Sequence, residues 1–170
     1  FPGLYALLAR EYMNTFKITE KELAGVAVKN HFHGSLNLNA HYQNTITIEQ
    51  VLKSPCVADP LKLLDCSPIS DGASAVILSS EKNVPDKKKA VWIVGSAAAT
   101  DSLSVSHRAT LTSLSASKKA SSVAYQQGDV SPSDINVAEV HDCFTIAELL
   151  ALEDLGFYER DSKITNLPGI

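Results

Sequence analysis

The sequence predicts a layered α/β fold, and three observations carry that prediction. Beyond residue 70 or so, short runs of branched residues alternate with helical periods, in the order strand–helix–strand–helix that buries a sheet beneath helices. Threonine-led capping signals recur just ahead of helical patterns, at Thr19, Thr47 and Thr145. The first 65 residues, by contrast, are helical and rich in loops, and read as an insertion or a separate lobe.

In chain order, Leu4, Leu7, Leu8, Tyr12 and Met13 fall at helical spacing and predict a helix over residues 4–16. Thr19-Glu20-Lys21-Glu22 is a capping box, in which the hydroxyl accepts from an orphan N–H and Glu22 reaches back. The helix it opens runs over 20–36, with Leu23, Val26, Ala27 and Asn30 on one face. Thr47-Ile48-Glu49-Gln50 opens a short helix, and Ser54-Pro55 and Asp59-Pro60 break the pattern. Ala73-Ser74-Ala75-Val76-Ile77-Leu78 alternates small and branched residues and predicts a strand that needs sheet neighbours. Residues 81–89 are charged and contain proline, so Lys87-Lys88-Lys89 reads as a solvated turn rather than a phosphate site. Residues 91–96 predict a second strand, and Gly95-Ser96-Ala97-Ala98 is too poor in glycine for a phosphate loop. A helix follows over 114–127, then an N-cap serine with proline behind it at Ser131-Pro132, then a third strand over 135–140. The last helix starts from the box Thr145-Ile146-Ala147-Glu148, runs to Leu155 and stops at Gly156.

Composition excludes several functions. The formal net charge of -4 gives no overall basic surface for nucleic acid, and 6% aromatic residues make no base-stacking platform. No apolar run approaches the roughly 20 residues that cross a bilayer, and no leader pattern opens the segment. Cys56, Cys66 and Cys143, odd in number and widely spaced, form no disulfide framework and suit a reducing compartment. Phe1-Pro2-Gly3 and Asn166-Leu167-Pro168-Gly169-Ile170 read as the interior of a longer chain. A metal site from His31, His33 and His41 lacks the cysteine or carboxylate pair that would complete a tetrahedral set.

The sharpest chemical feature is Glu139-Val140-His141-Asp142-Cys143-Phe144-Thr145, at a predicted strand end and helix start. In α/β folds ligands collect outside the carboxyl ends of strands, and a helix N-terminus there favours developing negative charge. A histidine and a cysteine two residues apart at such a turn supply a hydrogen-bond donor and a proton carrier. Spacing alone equally allows a small buried cysteine, a satisfied turn histidine and a capping aspartate.

His141-Asp142-Cys143-Phe144 resembles the fingerprint of sterol-carrier-protein-type thiolases and their archaeal and bacterial relatives. Two further stretches support the resemblance in family order: the helix segment Glu22-Leu23-Ala24-Gly25-Val26-Ala27-Val28-Lys29-Asn30-His31, and Leu64-Asp65-Cys66-Ser67-Pro68-Ile69-Ser70-Asp71-Gly72-Ala73. The resemblance implies part of a thiolase-like α-β-α fold of two similar halves. Residues 1–68 would be its loop domain, 69–89 a returning strand and linker, and 90–170 the start of the second half. It implies acyl transfer on coenzyme A by a Claisen-type condensation or its reverse, with a coenzyme A thioester as substrate and no permanently bound cofactor. His141 would help form an oxyanion hole, Cys143 would carry the proton to or from the carbon nucleophile, and Ser67 would touch the pantetheine arm. The whole protein would be a cytoplasmic homodimer, or peroxisomal in a eukaryote. The family also uses a nucleophilic Cys-x-Ser loop and a Gly-His-Pro loop. Residues 1–170 contain neither, so this segment alone would be inactive. A non-catalytic scaffold or acyl-CoA-binding partner on the same fold is the alternative expectation.

Overall fold

A computed structural model describes residues 1–159. Five helices carry it: α1 (Pro2–Phe16), α2 (Glu20–Ser35), α3 (Ile48–Lys53), α4 (Ser115–Gly128) and α5 (Thr145–Asp154). A hairpin of β1 (Cys56–Ala58) and β2 (Leu61–Lys62) pairs antiparallel across Asp59–Pro60, pairing Cys56 with Lys62 and Ala58 with Leu61. Its two prolines read in the sequence only as a break and mask a ladder this short.

The predicted helices form for the local reasons the sequence gives. Proline stands at the first helical position of α1, where its missing N–H costs nothing, and Lys17 closes the helix with φ 56°. The Thr19 hydroxyl accepts from Lys21 N at 3.2 Å, and Glu22 Oε2 accepts from Thr19 N at 2.8 Å. Thr47 and Gln50 repeat the exchange at α3, at 3.3 and 2.8 Å. Ser131 and Asp134 do so around a single 3-10 turn, Pro132–Asp134, rather than a full helix.

The core lies where α1, α2 and α5 meet. Leu8, Ala9 and Tyr12 of α1 pack with Leu23 and Val26 of α2, Leu61 of β2, and Ile146, Leu149 and Leu150 of α5. A smaller cluster of Ala24, Ala27 and Val51 ties α3 to the other face of α2. On the far side α4 leans on α5. Tyr125 donates to Leu155 O at 3.0 Å, and the buried Asp154 carboxylate accepts from Ser113 Oγ at 2.8 Å and from Leu114 N.

Two expectations are corrected. The strands expected at 73–78, 91–96 and 135–140 form no ladder; among the described residues the only sheet is the hairpin. A strand is completed by a neighbour that takes its N–H and C=O groups, and these runs meet none. Ile77 is 96% exposed and Val91 95%. Residues 91–96 lie instead along α4. Ser96 N donates to Gln127 Oε1 at 2.8 Å, and a Cβ at Gly95 would come within 2.2 Å of Ala124 O. The box expected at Thr145–Glu148 is absent as well: Phe144 is the N-cap, with no side-chain cap, and Thr145 is already helical. Both side chains of the expected box are engaged by distant partners. Gly156, at φ 81°, ends α5 as the sequence predicts.

Candidate active site

Three successive pairs join the chain after β2 to the start of α5. Asp65 Oδ1 accepts from Thr145 Oγ1 at 3.0 Å. Cys66 and Phe144 form an isolated antiparallel bridge. Ser67 N donates to Cys143 O at 3.0 Å. Ser67 and Cys143, 76 positions apart in sequence, thus become backbone neighbours.

Asp65 anchors this seam. Its side chain is buried, and Lys62 N donates to Oδ2 at 2.9 Å. Burial pushes its carboxyl above the usual aspartate range, against the hydrogen bonds from Lys62 N and Thr145, which hold it down. Burial also raises the Cys66 thiol, helped by the neighbouring charge of Asp65. That thiol donates to Lys62 O at 3.3 Å, as a structural cysteine does.

Cys143 is half-buried, while His141 and Asp142 are exposed. Tyr5 of α1 stacks on Phe144, with ring centroids 4.6 Å apart at 30°. Burial, with a hydrogen bond to the Cys143 side chain, pushes the Tyr5 phenol up to about 12, and the nearby Arg108 opposes that shift. Tyr5 therefore meets the thiol as a neutral phenol. The ring of His141 has no hydrogen-bonding partner among the described residues.

Asp142 is tied differently. Asn30 of α2 donates through Nδ2 to Asp142 Oδ2 at 2.6 Å and to Glu148 Oε2 at 2.7 Å. Lys29 pairs with Glu148 Oε1 at 2.8 Å. A cavity of about 490 Å³ opens on one side of this contact, walled by Asn30, His41, Tyr42, Cys66, Ser67 and Asp142. A second, of about 800 Å³, lies on the other side, with Lys29, Asn30, Asp142 and Glu148 in its wall.

The three loop histidines are dispersed. His31 contacts Asn44 O through Nδ1 at 3.1 Å and stacks on Tyr42, His41 contacts Ser70 Oγ at 2.5 Å, and His33 tilts against Phe32. Among the described residues no three His, Cys, Asp or Glu side chains converge as a metal would require. No helix there is long and apolar enough to cross a membrane.

Of the site residues expected from sequence, Ser67 and Cys143 are brought together, and His141 stands two residues away on the exposed part of the turn. Sequence reading missed the roles of Tyr5, Lys29, Asp65 and Glu148, whose partners lie tens of residues away. One signal was available: Lys29-Asn30 is a polar pair on the helix whose opposite end buries Leu23 and Val26.

The chain is similar to known proteins over most of its length. The family "Thiolase, N-terminal domain" matches residues 3–82, and "Thiolase C-terminal domain-like" matches residues 97–165. An acetyl-CoA acetyltransferase of Methanothermobacter thermautotrophicus is 44% identical over 161 residues, covering 94% of this chain and 42% of that protein. Sterol carrier protein 2 of Rattus norvegicus is 35% identical over 161 residues, covering 91% of this chain and 29% of that protein. A solved structure named Ltp2-ChsH2(DUF35) aldolase superposes with a TM-score of 0.83 at 29% identity, covering 96% of this chain and 45% of that one. The chain thus spans about two fifths of the archaeal relative's length.

Proposed function

The chain belongs to the thiolase family, and from that premise we propose that the whole protein is an acetyl-CoA C-acyltransferase in which Cys143 moves the proton and His141 faces the thioester oxygen. The single observation that carries this reading is the seam that sets Ser67 N 3.0 Å from Cys143 O. It brings Cys143 next to Ser67, which lines the cavity of about 490 Å³ and whose hydroxyl would meet the pantetheine arm of coenzyme A.

In the synthetic direction the Cys143 thiolate would take a proton from the α-carbon of acetyl-CoA. The resulting carbanion would attack an acyl group held as a thioester on a cysteine supplied elsewhere in the whole protein. The carbon–carbon bond forms, the acyl–sulfur bond breaks, and that cysteine leaves as thiolate. In reverse, the Cys143 thiol returns the proton to the departing carbanion. A donor from the exposed His141 would stabilise the enolate oxygen while charge develops on it. Residues 1–170 hold no Cys-x-Ser and no Gly-His-Pro, so on this reading the segment needs the rest of the protein for turnover. A homodimer and residues 1–68 as a loop domain belong to the same reading.

Mass spectrometry of the full-length protein with acetyl-CoA, wild type and Cys143→Ala, tests it. We expect a covalent acetyl adduct in both, with condensation and thiolysis lost from the variant by roughly 100-fold or more. Full turnover by the variant would sink the assignment of Cys143. A second reading is a non-catalytic scaffold or acyl-CoA-binding partner on the same fold, since residues 1–170 themselves carry neither Cys-x-Ser nor Gly-His-Pro. That reading expects acetyl-CoA binding with no adduct in either protein.

A further inference from the structure

The seam with Ser67 fixes the turn at 141–143 only at its Cys143 end. The other tie is one side chain from α2. Asn30 donates both of its amide hydrogens, to Asp142 Oδ2 at 2.6 Å and to Glu148 Oε2 at 2.7 Å, and accepts from Lys29 Nζ at 2.5 Å. An amide offers two N–H donors and one carbonyl, and here each is engaged. Lys29 closes the ring on Glu148 Oε1 at 2.8 Å, with side chains only 12% and 4% exposed. One cation therefore pairs with one of two carboxylates, and the neutral amide lies between those carboxylates. The same contact is common to the walls of both cavities, so it also separates them.

We propose that Asn30 is a positioning residue: its amide holds Asp142, and through it the orientation of His141 and Cys143 toward the cavity that Ser67 lines. The inference rests on Cys143 carrying the proton, as proposed above. An aspartate at position 30 would keep the shape but remove both donors and put a third carboxylate in the cluster. The exchange Asn30→Asp with Asp142→Asn restores the hydrogen bond to position 142 in the opposite sense and returns the cluster to its original charge, while the donor to Glu148 stays lost, so the rescue is partial. A role in holding the turn predicts that the exchange rescues kcat beyond what its recovery of melting temperature accounts for.

The test uses the full-length protein and four readouts: kcat and KM for thiolysis of acetoacetyl-CoA, the rate of Cys143 alkylation by iodoacetamide, and the melting temperature. Asn30→Asp should lower kcat roughly 10- to 100-fold, leave KM within about twofold and alter the alkylation rate. The exchange should recover about tenfold of that loss. Thr19→Ala, which weakens α2 at its exposed cap, should lower the melting temperature without changing kcat. Asn30→Ala removes the donors without adding charge and should show the same kcat loss if the aspartate variant does not fold. Unchanged kcat in both Asn30 variants, or no recovery on exchange, overturns the inference while leaving the assignment of Cys143 intact if Cys143→Ala is inactive. Wild-type kcat in Cys143→Ala overturns both.

Discussion

Asp65 shows how one buried carboxyl can couple a seam to pH. It accepts from a backbone N–H of its own turn and from Thr145 across the seam, and burial still leaves its carboxyl raised. A raised acid favours the protonated form in the folded state. Its contribution is fully present below the ordinary aspartate range and is lost as pH rises through the raised value. Asparagine at 65 can accept from Lys62 N and donate to the Thr145 hydroxyl, so Asp65→Asn should preserve the seam and flatten this part of the pH–stability curve. Asp65→Ala leaves the buried Thr145 hydroxyl and the part-buried Lys62 N without an acceptor and should cost about 1–3 kcal/mol. Urea unfolding of the full-length protein across the acid range separates the two variants, and equal losses would show that asparagine does not preserve the seam. Nothing in the spacing around Asp65 points 80 positions ahead to Thr145. Ser67 and Cys143 were legible as a pair only through the family resemblance of their two segments, and Asn30 only as a polar residue on a helix face.

At the scale of elements, three threonines open similar sequences and only two act as caps. Thr19 and Thr47 face solvent, where the nearest acceptor for a terminal N–H is the local hydroxyl. Thr145 and Glu148 are buried, so Asp65, Lys29 and Asn30 outcompete the local exchange. Helix starts are legible because their causes lie within four residues, and that legibility fails where burial supplies better partners. Thr19→Ala should cost about 1 kcal/mol, as an exposed cap does. Burial raises the Glu22 carboxyl, yet the hydrogen bonds from the Thr19 side chain and backbone bring it below its usual range. The box therefore stabilises α2 above the ordinary glutamate range and is lost as pH falls through the lowered value. Denaturant midpoints should show the Thr19→Ala loss near neutrality and a smaller one in acid; a loss independent of pH would remove Glu22 from the account. Gly95 is the second test at this scale. Its missing Cβ lets residues 91–96 lie on α4, where an added methyl would meet the Ala124 carbonyl. Gly95→Ala should destabilise by about 1–3 kcal/mol through forced displacement, and a neutral result would mean that this contact is not kept in solution.

The whole molecule is divided between a finished helical core and three unfinished runs. Where α1, α2 and α5 meet, the core side chains are buried, and the helices satisfy their own backbone. Residues 73–78, 91–96 and 135–140 have the composition of strands but leave branched side chains exposed, Val76 at 85% and Val137 at 80%. The alternation of small and branched residues is written locally, whereas the ladder that completes a strand requires a partner elsewhere. That is why the sequence could specify the type of these elements while the described chain does not assemble them. The similar proteins are more than twice as long as the matched region, which leaves room for the partner strands outside it. Hydrogen exchange distinguishes the possibilities. In the full-length protein the amides of all three runs should exchange slowly, as paired strands do, and in residues 1–170 expressed alone they should exchange near the unprotected rate while α1, α2 and α5 remain protected. The lone segment should also self-associate through these edges, with light scattering that rises with concentration. Fast exchange of the three runs in the full-length protein would mean that they are surface segments, and that the α/β reading of this half describes composition rather than a sheet.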